Sequence, residues 1–105
     1  MLNLKLKGKK LKVFHNAFKL QGKSFNTVEE ILAFSQEISV HVHSFFCEWF
    51  DENSFIEVQT SGSTGKPKVI QLQKNNMINS ALATGNYFNL PEKTTALLCM
   101  SPNFI

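Results

Sequence analysis

Thr60-Ser61-Gly62-Ser63-Thr64-Gly65-Lys66-Pro67-Lys68 is the segment of this 105-residue chain on which the predicted fold and function depend. The nine residues comprise four hydroxyl side chains, two glycines, two lysines and one proline, without an acid. Apolar and polar residues alternate in 55–59 before the segment and in 69–73 after it, which predicts a strand on each side. A loop of this composition offers backbone N–H groups, hydroxyl donors and positive charge, and these suit a polyphosphate.

Two common phosphate-binding motifs do not match this loop. A Walker-type loop needs glycine, four residues and then Gly-Lys-Ser/Thr at the start of a helix. Here Gly62 and Gly65 are three apart, and Lys66 is followed by Pro67 and a strand pattern. A dinucleotide fingerprint needs three glycines at a strand-to-helix turn. By composition alone the loop could also be a solvated hairpin loop, in which Ser, Thr and Gly are common.

The order of the nine residues resembles the phosphate loop of the adenylate-forming superfamily, which includes acyl-CoA synthetases, firefly-type luciferases and the adenylation domains of peptide synthetases. In that family the loop joins two antiparallel strands and a helix follows. Residues 55–105 are also similar, more weakly, to the o-succinylbenzoate–CoA ligases of menaquinone synthesis. The resemblance implies an α/β fold in which residues 1–105 are the N-terminal part of an AMP-binding domain. The implied elements are short N-terminal strands, a long helix, a β-hairpin carrying the phosphate loop, a second helix and a buried strand.

The resemblance implies an ATP-dependent acid–CoA ligase. A carboxylate attacks the α-phosphate of Mg-ATP to give an acyl-adenylate and pyrophosphate, and the thiolate of coenzyme A then displaces AMP. The implied cofactor-binding residues are Thr60, Ser61, Gly62, Ser63, Thr64, Gly65, Lys66 and Lys68. In this scheme the hydroxyls bond the β- and γ-phosphates, the glycines allow close backbone approach, and the lysines offer charge to pyrophosphate.

No catalytic residue and no metal ligand is implied within residues 1–105. Relatives place the adenine site, a ribose-binding Asp, the Mg²⁺-binding Glu and a catalytic Lys further along the chain. We therefore expect the isolated chain to bind ATP weakly and to catalyse no ligation. The family often has a histidine near the start of the helix after the loop, and this chain has Lys74 there. Fatty-acyl and aryl-acid ligases remain alternatives within the superfamily.

Composition leaves a second class of function open. The 43% hydrophobic share is that of a globular protein, and the net charge is +3. All eleven positive charges are lysines, and seven of them precede residue 24. Nucleic-acid readers usually carry arginine, so this partner is not expected. The lysine-rich start could attract anions as a non-catalytic module, or it could be a solvated edge of short strands within residues 2–25.

The cysteine and hydropathy patterns favour a cytoplasmic protein. Cys47 and Cys99 form no Cys-x-x-Cys pair, and both are expected to be small buried side chains in a reducing compartment. No secretory leader is recognised, and no apolar run approaches the ~20 residues of a membrane span. Small-molecule partners are therefore expected: a carboxylic acid, ATP and coenzyme A. The oligomeric state is not predicted.

A long helix is predicted from a cap at Thr27 to about Phe50. Thr27 followed by Glu30 fits a capping box. Apolar residues then recur at spacings of three and four on one face: Ile31, Phe34, Ile38, Val42, Phe45 and Trp49. The predicted solvent face holds Ser35, Glu37 and Glu48. His43 and Cys47 could share a face, but His41 points elsewhere and a fourth ligand is lacking, so no metal site is predicted.

A second helix is predicted after the loop, with Lys74-Asn75-Asn76 as its cap. Its apolar stripe is Met77, Ile78, Ala81, Leu82, Gly85 and Phe88, and the small residues would let the helix lie close against a neighbour. The nearly continuous apolar run 94–100 predicts a strand covered on both faces. Because the preceding 93 residues can hardly supply the cover for such a strand, we expect an N-terminal piece of a longer protein.

Overall fold

The computed structural model describes residues 5–6, 9–10, 14–60, 65–98 and 101–103 of the chain. In these residues it is a mixed α/β structure with three helices and three two-stranded antiparallel sheets. The elements in chain order are β1 (Lys5–Leu6), β2 (Lys9–Lys10), β3 (Lys19–Leu20), β4 (Lys23–Ser24), α1 (Val28–Ile38), α2 (Val40–Trp49), β5 (Phe55–Gln59), β6 (Val69–Gln73) and α3 (Lys74–Tyr87). No helix of the described residues is both long enough and apolar enough to cross a membrane.

The predicted short strands near the N-terminus are present. β1 pairs with β2, and β3 pairs with β4 through a two-residue turn at Gln21 and Gly22. Both turn residues have positive φ, 51° and 78°, as the tight turns that match strand twist require. Lys19 and Lys23 are exposed, as predicted, and the Lys23 ammonium lies 4.8 Å from the centroid of the Phe34 ring.

The start of α1 confirms the predicted cap at Thr27. Its hydroxyl oxygen accepts the N–H of Glu30 at 3.2 Å. The Glu30 carboxylate in turn accepts the N–H of Asn26 at 3.0 Å, one residue before the cap. The prediction of one continuous helix to Phe50 is wrong, because the helix breaks at Ser39.

Ser39 both ends α1 and begins α2. Its backbone is extended, with φ −167° and ψ 156°. Its N–H donates to the carbonyl oxygen of Ser35 at 3.2 Å, and its hydroxyl oxygen accepts the N–H of Val42 at 3.0 Å. A serine side chain that caps a new helix stabilises this extended backbone against continued helix. The pattern of apolar spacing passes through the break and does not reveal it.

The main core lies between the first two helices and the segment before them. Its buried residues are Phe25, Ile31 and Phe50. The apolar side chains that pack on them are Phe14, Phe18, Leu20, Val28, Leu32, Phe34, Phe46 and Trp49. Most of the ring contacts are edge-to-face or tilted, with centroids about 6 Å apart, for example 6.0 Å for Phe14 and Phe18. Ser35, predicted to face solvent, is instead fully buried, because the turn at Ser39 brings α2 over it.

The predicted hairpin around the loop is confirmed. β5 and β6 are antiparallel, with Ile56 opposite Leu72 and Val58 opposite Ile70. Ile56 and Val58 are buried, and the alternate residues of β5 point to the exposed face. The pairing places the two ends of the loop segment side by side.

α3 begins directly after β6, with Gln73 at its cap position and without a side-chain capping bond. The helix was predicted correctly, but the asparagine cap at 75–76 was not, because both asparagines lie inside the first turn. Much of its apolar stripe is exposed, including Leu82 and Phe88. Its small residues Ala81 and Ala83 are exposed.

The buried strand predicted for residues 94–100 is not formed in its described part. Residues 94–98 are in no strand, and the Leu97 side chain is 90% exposed. No described strand pairs with this segment, and an apolar run alone cannot satisfy its own backbone groups. Cys99 and Met100 lie outside the described residues. Beyond them the carbonyl oxygen of Asn103 accepts the N–H of Gln59 at 2.8 Å, at the free edge of β5.

A buried ion pair ties the start of α3 to the segment that follows α2. The Lys74 side chain is 1% exposed, and its Nζ lies 2.8 Å from Oδ1 of Asp51, whose side chain is 34% exposed. Nζ also donates to the Asp51 carbonyl oxygen at 3.3 Å, and the Lys74 N–H donates to the carbonyl oxygen of Ser54 at 2.8 Å. Burial raises the pKa of the Asp51 carboxyl, but the bonds from Lys74 and Asn53 outweigh it and lower that pKa overall.

We expect Asp51→Asn to destabilise the protein by about 3 kcal/mol, since it leaves the buried Lys74 charge without its counter-ion. Lys74→Met removes the buried charge and leaves a carboxylate that water can reach, so it should cost only ~1 kcal/mol. Urea unfolding of both variants measures the difference. Equal costs would contradict the assignment of Lys74 as the desolvated partner.

The same pair predicts the acid dependence of stability. The pKa of Asp51 is lower in the folded protein than its ordinary value of 3.8. Its carboxylate therefore stabilises the folded protein fully above pH 3.8, and this stabilisation is lost as the pH falls through the folded pKa. The free energy of unfolding of the parent should therefore fall more steeply below about pH 4 than that of Asp51→Asn. Parallel pH profiles from urea titrations would contradict this.

Candidate functional site

The phosphate-loop residues predicted from sequence fall into two groups. Thr60, Gly65, Lys66 and Lys68 are described by the structure. Ser61, Gly62, Ser63 and Thr64 lie outside the described residues, so their predicted contacts stay predictions. The described four lie together at the loop end of the β5–β6 hairpin.

Thr60 closes the base of the loop. Its N–H donates to the carbonyl oxygen of Lys68 at 2.9 Å, and its hydroxyl oxygen accepts the N–H of Lys68 at 3.2 Å. These bonds extend the β5–β6 pairing by one residue pair and hold Thr60 next to Lys68. The Thr60 hydroxyl thus has a structural role at the loop base.

Gly65 has the backbone conformation that its residue type predicts. Its φ is +135°, a region that side chains with a Cβ rarely adopt. No described atom lies within 4 Å of where its Cβ would be, so space is open on that side. The conformation, and not crowding, is what requires glycine here.

Lys66 and Lys68 supply the positive charge of the site. Both are exposed, and neither forms an ion pair with a described residue. Two ammonium groups lie two residues apart, beside a glycine of positive φ and a closed hairpin base, and this arrangement would suit an anion.

Lys74 is the residue whose position the sequence did not predict. A lysine at the start of a helix is normally exposed to solvent. Its burial would be expected only if an acidic residue lay near enough to pair with its charge. Asp51 is that acid, but it is distant in sequence and only the hairpin brings the two together. Lys74 therefore positions the site by fixing the end of β6, and it does not line the described part of the loop.

Cys47 and His43 share a face of α2, as their spacing predicts. The Cys47 Sγ lies 3.4 Å from His43 Nε2. The expectation that Cys47 is buried is wrong, because it is exposed on the outer side of α2. His41 bonds Asn103 at 3.3 Å and does not join the pair. Among the described residues no group of three potential metal ligands is found.

A cavity of about 960 Å³ opens between the β3–β4 turn, the first two helices and the segment 93–98. Its apolar wall includes Ile38, Val42, Phe45 and Phe46. None of the described loop residues lines it. The cavity and the phosphate loop are therefore separate features of the described structure.

Comparisons of the chain with protein-family models, with curated proteins and with solved structures found no match.

Two glycine substitutions test the loop geometry. Gly65→Ala should destabilise the protein by ~1 kcal/mol or more, because alanine is strained at φ +135°. Gly85→Ala is the matched control: Gly85 lies inside α3 without a positive φ, so alanine there should stabilise by about 0.5–1 kcal/mol. Thermal unfolding of both variants provides the comparison. Stabilisation by Gly65→Ala would show that the loop does not hold this conformation.

Proposed function

We propose that this chain is the N-terminal part of an ATP-dependent acid–CoA ligase of the adenylate-forming superfamily. Within that superfamily the proposal is an o-succinylbenzoate–CoA ligase of menaquinone synthesis. The observation that carries it is the order of residues from Thr60 to Lys68 in the sequence, between two antiparallel strands and before a helix. The order strand, loop, strand, helix supports an adenylate-forming loop and not a Walker loop, because a Walker loop leads directly into a helix.

The proposed role of the loop is to hold the β- and γ-phosphates of ATP while a carboxylate attacks the α-phosphate. The ammonium groups of Lys66 and Lys68 offset the charge that builds up on pyrophosphate as it leaves. Gly65 lets the backbone come close to phosphate oxygens. Ser61, Ser63 and Thr64 complete the proposed set of donors with their hydroxyls. Mg²⁺ enters with ATP, and no residue of the chain is assigned to it.

The second candidate is a non-catalytic module with an anion-binding surface near the N-terminus. The exposed lysines Lys19 and Lys23 on the β3–β4 hairpin favour this candidate. The two candidates place the bound anion on different hairpins, and this difference makes them separable by mutation.

The test compares two double variants that change charge equally. Lys66→Gln with Lys68→Gln should weaken ATP binding by about 10-fold or more, because two charge-assisted contacts are lost. Lys19→Gln with Lys23→Gln removes the same charge from the other hairpin and should change ATP affinity less than ~2-fold. Isothermal titration calorimetry at fixed ionic strength measures both, with tripolyphosphate as a second probe.

Unchanged ATP affinity in the loop variant would contradict the phosphate-loop assignment. A loss confined to the β3–β4 variant would support the anion-binding module. Fatty-acyl and aryl-acid ligases are the alternatives within the superfamily, and a panel of carboxylic acids separates them by the rate of pyrophosphate release from the complete enzyme.

A further inference from the structure

The proposed ATP site leaves a thiol–imidazole pair on α2 without a role. Cys47 and His43 are one helical turn apart, with 3.4 Å between Sγ and Nε2. Cys47 is exposed and His43 is partly buried. A nucleophile beside a base is the arrangement that activates a side chain, provided that a third group orients the base.

The third group is the carbonyl oxygen of Leu32. His43 Nδ1 lies 2.9 Å from this oxygen and 3.1 Å from the Ser35 hydroxyl oxygen. The Ser35 hydroxyl donates its own hydrogen to the same carbonyl oxygen at 2.8 Å. A carbonyl oxygen can only accept, so Nδ1 must carry a hydrogen. In the neutral ring Nε2 is then the acceptor, and it faces the thiol of Cys47.

The break at Ser39 creates this arrangement. In one continuous helix Leu32 and His43, eleven residues apart, would be separated by ~16 Å along the axis. Because α2 instead packs against α1, the His43 ring reaches a carbonyl group near the middle of the preceding helix. Ser35 is fully buried, and its hydroxyl oxygen lies next to Nδ1 of His43, so this contact restricts the orientation of the imidazole ring.

The acids next to Cys47 in sequence have partners of their own. Glu48 Oε1 accepts the N–H of Glu57 at 3.2 Å. Asp51, one turn after Cys47, accepts from the Lys74 ammonium at 2.8 Å. Both carboxylates are thus held by contacts of their own with other elements of the fold.

We propose that Cys47 is a nucleophilic thiol with His43 as its general base, and that it is a site of modification by low-molecular-weight disulfides. In the reaction Nε2 takes the thiol proton, and the sulfur attacks one sulfur of oxidised glutathione. The S–S bond of glutathione breaks, a mixed disulfide forms on Cys47, and the released glutathione thiolate takes a proton from the imidazolium. The protein thiol is oxidised and half of the reagent is reduced, without any other oxidant.

The experiment measures the rate of mixed-disulfide formation with oxidised glutathione by mass spectrometry, in a Cys99→Ser background that leaves Cys47 as the single thiol. His43→Gln should slow the reaction by about 10-fold or more, because the amide cannot take the proton. His41→Gln is the matched control on the same helix, since His41 bonds Asn103 and not the thiol. It should leave the rate within ~2-fold. Alkylation by iodoacetamide, a neutral reagent, should show the same ratio.

Equal rates in the parent and in His43→Gln would overturn the proposal. If circular dichroism shows that His43→Gln is poorly folded, the tautomer of His43 in the parent protein tests the proposal instead. Imidazole ¹⁵N chemical shifts should show the hydrogen on Nδ1 and the neutral acceptor on Nε2. A hydrogen on Nε2 in the neutral ring would overturn the proposed base.

Discussion

One buried ion pair, Lys74 with Asp51, constrains how the β5–β6 hairpin lies against the end of α2 in the described structure. Lys74 is the first residue of α3 and follows β6 directly, while Asp51 comes just after α2. Their contact fixes the hairpin against the helical layer at the end opposite the loop, and the Lys74 N–H adds a bond to Ser54. A fully desolvated ammonium tolerates few alternative positions, so the pair favours a single arrangement of hairpin and helices over any sliding of one on the other.

Ser39 is the second constraint, and it works through the backbone. Its extended conformation ends one helix, and its hydroxyl begins the next. Two consequences follow. The aromatic side chains of α1 and α2 can enclose Phe25 and Ile31 in a small core, and the His43 ring meets the Leu32 carbonyl oxygen, which would be out of reach in a straight helix. A feature of a single residue thereby sets both the packing of the helical part and the chemistry available to Cys47.

The local patterns of the sequence predict much of this fold. The alternation around the loop predicts β5 and β6 with their observed ends, and Thr27 with Glu30 predicts the start of α1. What failed depends on contacts between distant residues. Ser39 ends the helix in a structure where α2 packs against α1, which the local sequence does not show. Lys74 is buried because it contacts Asp51, which is distant in sequence. Residues 94–98 have no described strand to pair with. At the candidate site, the positive φ of Gly65 is what its residue type predicts, whereas no pattern in the sequence predicted that the Thr60 hydroxyl would bond Lys68.

We propose that the end of the β5–β6 hairpin, positioned by the Lys74–Asp51 pair, binds the phosphates of ATP. An NMR titration of ¹⁵N-labelled protein with Mg-ATP tests it most directly, because each backbone amide reports its own surroundings. We expect the amides of Gly65 and Lys66 to show the largest shifts and to saturate, while those of Lys19 and Lys23 stay nearly unchanged. The largest shifts at the β3–β4 hairpin, or no saturable shift at Gly65 and Lys66, would contradict it.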